Sequence, residues 1–271
     1  MAKINTQIAE ALARLREKQP LIHHITNTVA IADTANLTLH LGAIPVMATA
    51  AEEAAEMTEQ AAALVLNIGT LTSALVQSML LAGRKANDIG IPIVLDPVGA
   101  GATKLRTHTA LRLLDELDLA VVRGNEGAIG TLSGAGGQMK GVESVHGLTD
   151  PATLAPHMAR SWRAVVAITG KRDIISDGRR ILAVENTHSW LTAISGAGCL
   201  ATTAIAAFAA VEPNYLVATV GALAAFGLSA ELAAEHTAGP SSFKIALFDL
   251  IHNLTPEQLA AGARITSVKG P

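Results

Sequence analysis

Ser195-Gly196-Ala197-Gly198-Cys199 stands directly before a long apolar run, and its residue types suit the handling of an anion. A helix beginning here leaves its first backbone N–H groups unpaired and pointing outward, and such a terminus binds phosphate. Gly196 and Gly198 let the backbone approach closely, while the amides of Ala197, Gly198 and Cys199 and the helix dipole stabilise charge on a transferred phosphoryl group. The same glycines also suit a tight turn into a buried helix, and a lone G-x-G does not separate the two readings. Cys199 divides likewise. A helix N-terminus lowers a thiol pKa and readies it to accept a proton or hydrogen bond, whereas a solitary cysteine is also an ordinary small hydrophobe.

Other polar groups follow short apolar runs. Asn27, Met47, Asn67-Ile68-Gly69-Thr70, Asp96, Arg123-Gly124-Asn125-Glu126 and Thr169-Gly170 each close or follow one. If the runs are parallel strands, these residues collect at one rim, where open α/β sheets bind ligands. Asp96 suits a Mg²⁺ ion or its waters, and equally a helix cap or loop brace. Arg123 suits phosphate oxygens, and equally a plain salt bridge. His23 and His24 point to opposite faces of their strand, so at most one reaches the rim, and the remaining histidines lack the i, i+4 spacing of a helical metal site. The chain has no Walker A loop, GxSxG elbow or GxGxxG after its first strand, which argues against P-loop NTPases, α/β hydrolases and standard dinucleotide dehydrogenases.

The elements that must position these groups are legible from the hydrophobic pattern. Runs rich in β-branched residues predict strands at 21–26, 44–48, 63–68, 92–96, 120–123 and 164–169, alternating with helices at 28–41, 51–60, 72–87 and 108–118. That alternation predicts an α/β fold with a mostly parallel central sheet and helices on both faces. Asp177-Gly178 between 173–176 and 179–185 predicts an edge hairpin. Residues 1–20 predict an amphipathic helix with Ile8, Leu12 and Leu15 inward, and everything from Cys199 onward reads as helical. Ser133–Gly141 is a Gly-rich interruption but no linker or repeat divides the chain, so one domain over 1–271 is expected.

Composition narrows the function classes. Of 271 residues half are hydrophobic and 16% charged, with a net charge of −3, which excludes intrinsic disorder and gives no global attraction for nucleic acid or an anionic membrane. The single cysteine excludes an internal disulfide and a cysteine-cluster metal site, and the N-terminal stretch lacks the apolar core of a signal peptide, so a cytoplasmic protein is expected. The apolar runs at 199–211 and 215–230 are shorter than a bilayer span and are expected to be buried core helices.

In order, the segments Ile22-His-His-Ile-Thr-Asn27, Pro45-Val-Met-Ala48, Leu66-Asn-Ile-Gly-Thr-Leu71, Leu95-Asp-Pro-Val-Gly-Ala-Gly-Ala102, Val122-Arg-Gly-Asn125, Ile168-Thr-Gly170, Ser195-Gly-Ala-Gly-Cys199 and Gly239-Pro-Ser-Ser-Phe243 resemble the hydroxyethylthiazole kinase family, from about residue 21 to 254. The resemblance implies a ribokinase-like fold and ATP- and Mg²⁺-dependent phosphorylation of the primary alcohol of 4-methyl-5-(2-hydroxyethyl)thiazole, in homotrimers with active sites at subunit interfaces. It implies that Asn27, Met47 and Gly196 contact the thiazole, that Arg123 and Thr169 bind ATP, and that Asp96 serves the magnesium. Residues 196–199 would form the anion hole, with Cys199 where most ribokinase-like enzymes keep an aspartate base, so positioning and electrostatics should carry the rate. One departure stands out. The family follows Arg-Gly-Asn with two residues and a metal-organising glutamate, a slot held here by Ala128, which leaves Glu126 as the nearby carboxylate. Two other readings follow: a binding protein that lost turnover, or a kinase for another small alcohol.

Overall fold

The computed structural model describes residues 2–135 and 150–270; the part of the Gly-rich stretch beyond Ala135 lies outside them. Its strands are β1 (Leu21–Ile25), β2 (Ile44–Val46), β3 (Ala63–Asn67), β4 (Ile93–Asp96), β5 (Val121–Asn125), β6 (Val165–Thr169), β7 (Asp173–Ser176), β8 (Ile181–Val184) and β9 (Ile265–Ser267). Its helices are α1 (Ala2–Lys18), α2 (Ile31–Leu41), α3 (Ala54–Glu59), α4 (Ser73–Ile89), α5 (Lys104–Glu116), α6 (Glu126–Ala135), α7 (Pro151–Trp162), α8 (Ala197–Ala209), α9 (Tyr215–Glu235), α10 (Pro240–Asn253) and α11 (Pro256–Gly262). The strands form one sheet in the order β2-β1-β3-β4-β5-β6-β7-β8-β9. Pairing is parallel through β6 and antiparallel from β7 to β9.

The two-residue period of the strands sorts the core into two layers. Val65, Val94, Val121 and Ala167 face a layer that includes α1, α2, α8 and α9. Leu66, Leu95, Val122 and Ile168 face the layer of α4 to α7. One position beyond the last inward residue of each strand, the same period sets Asn67, Asp96, Arg123 and Thr169 on the α8 side. Chain order reverses between β1 and β3, because β2 pairs on the outer side of β1. That reversal opens the crevice in which doubly wound sheets bind ligands. α8 packs over β3 and β4 beside it.

Several expected boundaries move for local reasons. The second helix begins at Ile31 rather than residue 28 because Asn27 Oδ1 accepts the amides of Val29 at 3.1 Å and Ala30 at 3.0 Å, turning the chain before the helix starts. α5 begins at Lys104, capped by Thr103, rather than at 108. The edge hairpin is present, but its connection spans 177–180 instead of two residues. Gly178 alone takes a left-handed φ of 86°, while Asp177 Oδ1 accepts the amides of Arg179 and Arg180. The all-helical reading of the C-terminal part is overturned by β9, which pairs with β8 through Ile265, Thr266 and Ser267. The run of β-branched residues there is the signal that was available. α9, at 21 residues, is long and apolar enough to cross a membrane, and 89% of its most apolar window is buried within the fold.

Candidate active site

Five neighbouring strand ends are tied together side chain to side chain. Asn27 Nδ2 donates to Asn67 Oδ1 at 2.8 Å, and Asn67 Nδ2 donates to Asp96 Oδ2 at 2.9 Å. Arg123 Nη1 stands 3.6 Å from the same carboxylate oxygen, and Arg123 Nη2 donates to Thr169 Oγ1. α8 closes the chain from above. Thr202 Oγ1 donates to Asp96 Oδ2 at 3.0 Å, and Cys199 Sγ accepts Asn27 Nδ2 at 3.2 Å and Asn67 Nδ2 at 3.3 Å. The rim expected from the sequence therefore exists, and Asn27, Asp96, Arg123, Thr169 and Cys199 meet on it.

The start of α8 keeps its donors free. Gly196 holds a left-handed φ of 82° at the N-cap and supplies no side-chain cap. Leu200 N–H is the first to find an intrahelical partner, the Gly196 carbonyl at 2.9 Å, so the amides of Ala197, Gly198 and Cys199 have no acceptor among the described residues. Gly198 lets Arg123 approach closely: a Cβ there would stand 2.5 Å from Nη1 and would push the guanidinium aside. Arg123 also holds unspent donors. Its Nε is buried with no partner, and Nη1 lies beyond hydrogen-bond reach of Asp96. Amides and guanidinium border a cavity of about 440 Å³ whose walls include Thr169, Asp173, Leu223 and Phe226. A mostly apolar recess with a cationic, amide-lined mouth has the chemistry to hold a nucleotide by its base and its phosphates.

Burial sets the protonation chemistry. Asp96 is 2% exposed, and desolvation pushes its carboxyl above the usual range against the opposing pull of Arg123, Thr202 and Asn67. Burial raises the Cys199 thiol, and the Asp96 charge raises it further. This corrects the expectation from the helix dipole: the thiol is protonated at neutral pH and is a poor base. His24 is held down to about 3 by burial and donates no charge, while His23 is buried between Thr58 Oγ1 and the Ala48 carbonyl. Both are core histidines.

Two expected residues stand apart. Glu126 is exposed on the first turn of α6 and does not border the cavity. Ala128 is 6% exposed, its amide bound by Asn125 Oδ1 at 2.9 Å, and supplies no carboxylate. Met47 is half-buried just past β2 and makes no link to the hydrogen-bonded chain. Among the described residues no group of three or more His, Cys, Asp or Glu could hold a metal ion. That donor set fits magnesium only as an ion carried by nucleotide phosphates and water and leaning on one buried carboxylate, Asp96. The sequence places Asn67 on the rim without giving it a role, and Thr202 and Asp173 are absent from the expected site. Thr202 lies three positions after Cys199, one helical turn along the same face, and that spacing was the available signal.

The fold is shared with a ribokinase-like superfamily protein from Enterococcus faecalis V583, at TM-score 0.64 and 13% identity over 89% of each chain, so the class it defines is one of fold. The structure of a hydroxyethylthiazole kinase protein from Pyrococcus horikoshii OT3 superposes at TM-score 0.89 with 43% identity, covering 97% of this chain and 99% of that one. Hydroxyethylthiazole kinases of Roseiflexus sp. (strain RS-1) and Desulforudis audaxviator (strain MP104C) are 62% identical over 265 residues and 60% over 271, covering at least 98% of every chain. The model of the hydroxyethylthiazole kinase family matches residues 12–257. The chain belongs to the hydroxyethylthiazole kinase family.

Proposed function

We propose that the whole chain, 1–271, acts as one kinase domain that transfers the γ-phosphoryl group of ATP to the primary alcohol of 4-methyl-5-(2-hydroxyethyl)thiazole, a step in thiamine salvage. The observation that carries this reading is the set of unspent donors at the cavity mouth: the first amides of α8 and the buried Nε of Arg123. Arg123 and Thr169 hold the triphosphate, and the amides of Ala197, Gly198 and Cys199 receive charge developing on the migrating group. Asn27, Met47 and Gly196 flank the thiazole. Asp96 is the carboxylate that serves magnesium, which when bound neutralises phosphate charge. The alcohol oxygen attacks in line, the bond from the γ-phosphorus to the bridging oxygen breaks, and ADP leaves; the alcohol proton passes to solvent water, with Cys199 not acting as base.

Incubating the chain with the thiazole alcohol, ATP and Mg²⁺ is expected to give the phosphorylated thiazole. Absence of product across the whole magnesium range rejects the assignment. Ala128 in place of a carboxylate favours a second reading, a ligand-binding protein without turnover, which gives binding and no product in the same experiment. A cytoplasmic homotrimer completes the proposal. Leu39, Ile44 and Ile245 are 53%, 48% and 66% exposed on α2, β2 and α10, elements that adjoin at the β2 edge, and Val29 is 65% exposed just after Asn27. Burying such a patch between copies removes it from water. Light scattering is expected to give three times the 27.9 kDa chain mass; a monomer at working concentration contradicts it.

A further inference from the structure

Asn67 carries more of the site than any residue assigned to it above. It ends β3 directly beside Asp96, its registered partner on β4, and is 1% exposed. Its Oδ1 accepts Asn27 Nδ2 at 2.8 Å and Gly69 N at 3.0 Å, and its Nδ2 donates to Asp96 Oδ2 at 2.9 Å and Cys199 Sγ at 3.3 Å. An asparagine amide has two donor hydrogens and two acceptor directions, and all four are spent. Its orientation is therefore fixed, since a flipped amide would set donor against donor at Asn27 and acceptor against carboxylate at Asp96. Asn27 is locked in the same manner, with Oδ1 on the amides of Val29 and Ala30 and Nδ2 on Asn67 and Cys199. No direct bond joins Asn27 to Asp96.

We propose that Asn67 is a positioning residue for phosphoryl transfer, the single amide through which the alcohol side of the cleft at Asn27, the phosphate side at Asp96 and the start of α8 at Cys199 are held in register. The proposal rests on the kinase reading and deepens it. An in-line transfer needs the attacking oxygen and the γ-phosphorus aligned, and a displacement of about 1 Å can cost 100-fold in rate. Binding of the nucleotide itself, by contrast, depends on Arg123, Thr169 and the cavity walls, none of which bonds to Asn67, and an analogue titrated without magnesium makes no demand on Asp96. Losing Asn67 should thus lower kcat and spare nucleotide affinity.

The two halves of the amide are separable. Asn67→Asp keeps an acceptor for Asn27 and Gly69 but sets an oxygen against Asp96 and removes the donor to Cys199; Asn67→Ala removes both halves. Steady-state kinetics with thiazole alcohol and MgATP, together with calorimetric titration of a non-hydrolysable ATP analogue without magnesium, are expected to show kcat lowered about 100-fold in both variants with analogue Kd within about threefold of wild type. A near-wild-type kcat for Asn67→Asp overturns the proposal, because the acceptor for Asn27 and Gly69 then suffices and the donors to Asp96 and Cys199 position nothing. Equal losses of kcat and analogue affinity also overturn it, and a melting curve with analogue bound shows whether Asn67→Asp retains the fold if Asn67→Ala does not. Wild-type chain that forms no product in the same assay refutes the kinase reading instead, so the two failures are distinct.

Discussion

Cys199 shows how a residue's surroundings decide its chemistry. Its sulfur accepts N–H groups from both Asn27 and Asn67, and both burial and the nearby Asp96 hold the thiol protonated. A group with filled acceptor directions and a raised pKa is a scaffold for its neighbours and a poor place for the alcohol proton. Serine keeps an acceptor of nearly the same shape, whereas alanine leaves two buried N–H groups unpaired, at about 1–3 kcal/mol each. Cys199→Ser is expected to keep kcat within about threefold and Cys199→Ala to lose about tenfold, with little change in either KM. Steady-state kinetics decide it: a serine enzyme as slow as the alanine enzyme shows that the thiol takes the proton, since a hydroxyl is far less acidic than a thiol.

At the scale of elements, two close approaches by glycine beside the cavity differ in what they meet, a side-chain tip or the backbone. A methyl at Gly198, in the first turn of α8, would meet Arg123 Nη1 at 2.5 Å, the far end of a flexible side chain that can move aside. A methyl at Gly227 in α9 would stand 1.9 Å from the backbone carbonyl oxygen of Asn186, held by a segment that Asn186 itself bonds to Glu231 and Gly262. Gly198→Ala is expected to raise the ATP KM about tenfold or more while the melting temperature changes by a few degrees at most. Gly227→Ala should destabilise the chain by about 3 kcal/mol or more, read in denaturant melts. Reversed outcomes would contradict this reading of the two glycines. The alternation of runs in the sequence made the rim partly legible. The period of two that carries Val65, Val94 and Val121 inward also aims Asn67, Asp96 and Arg123 at α8, so the rim could be read before any coordinates. What was hidden is pairing across the chain: nothing local to Asn67 announces that its amide spans Asp96, Cys199 and Asn27. The three residues of β9 carry a β-branched signal too short to stand alone, and they pair on the open edge of β8.

For the molecule as a whole, the rim concentrates charges that folding must bury, and Asp173 gives that burial a testable pH dependence. It opens β7 where the sheet turns antiparallel, borders the cavity beside Arg123, and accepts the Gly170 amide through Oδ1 at 2.9 Å. Burial nevertheless outweighs that bond and the pull of Arg123, raising its carboxyl from 3.8 to about 6. A pKa raised on folding means the folded chain prefers the protonated form. The resulting stability is fully present below about 3.8 and is lost as pH rises through about 6. Above that range the fold contains an ionised group that would be better solvated in the unfolded chain. The difference corresponds to at most about 3 kcal/mol at 1.36 per pKa unit, and to less where water reaches the carboxylate. Asp173→Asn retains an acceptor for Gly170 and carries no charge. Its melting temperature is expected to exceed that of the wild type at pH 7.5 by several degrees, and the gap should close between pH 6 and pH 4. Asp96 contributes with the same sign but is present in both proteins, so it cancels from the comparison. A gap that stays constant with pH would mean that Asp173 acts through packing or the Gly170 bond; a gap of opposite sign would mean that Arg123 already holds this carboxylate ionised in the fold.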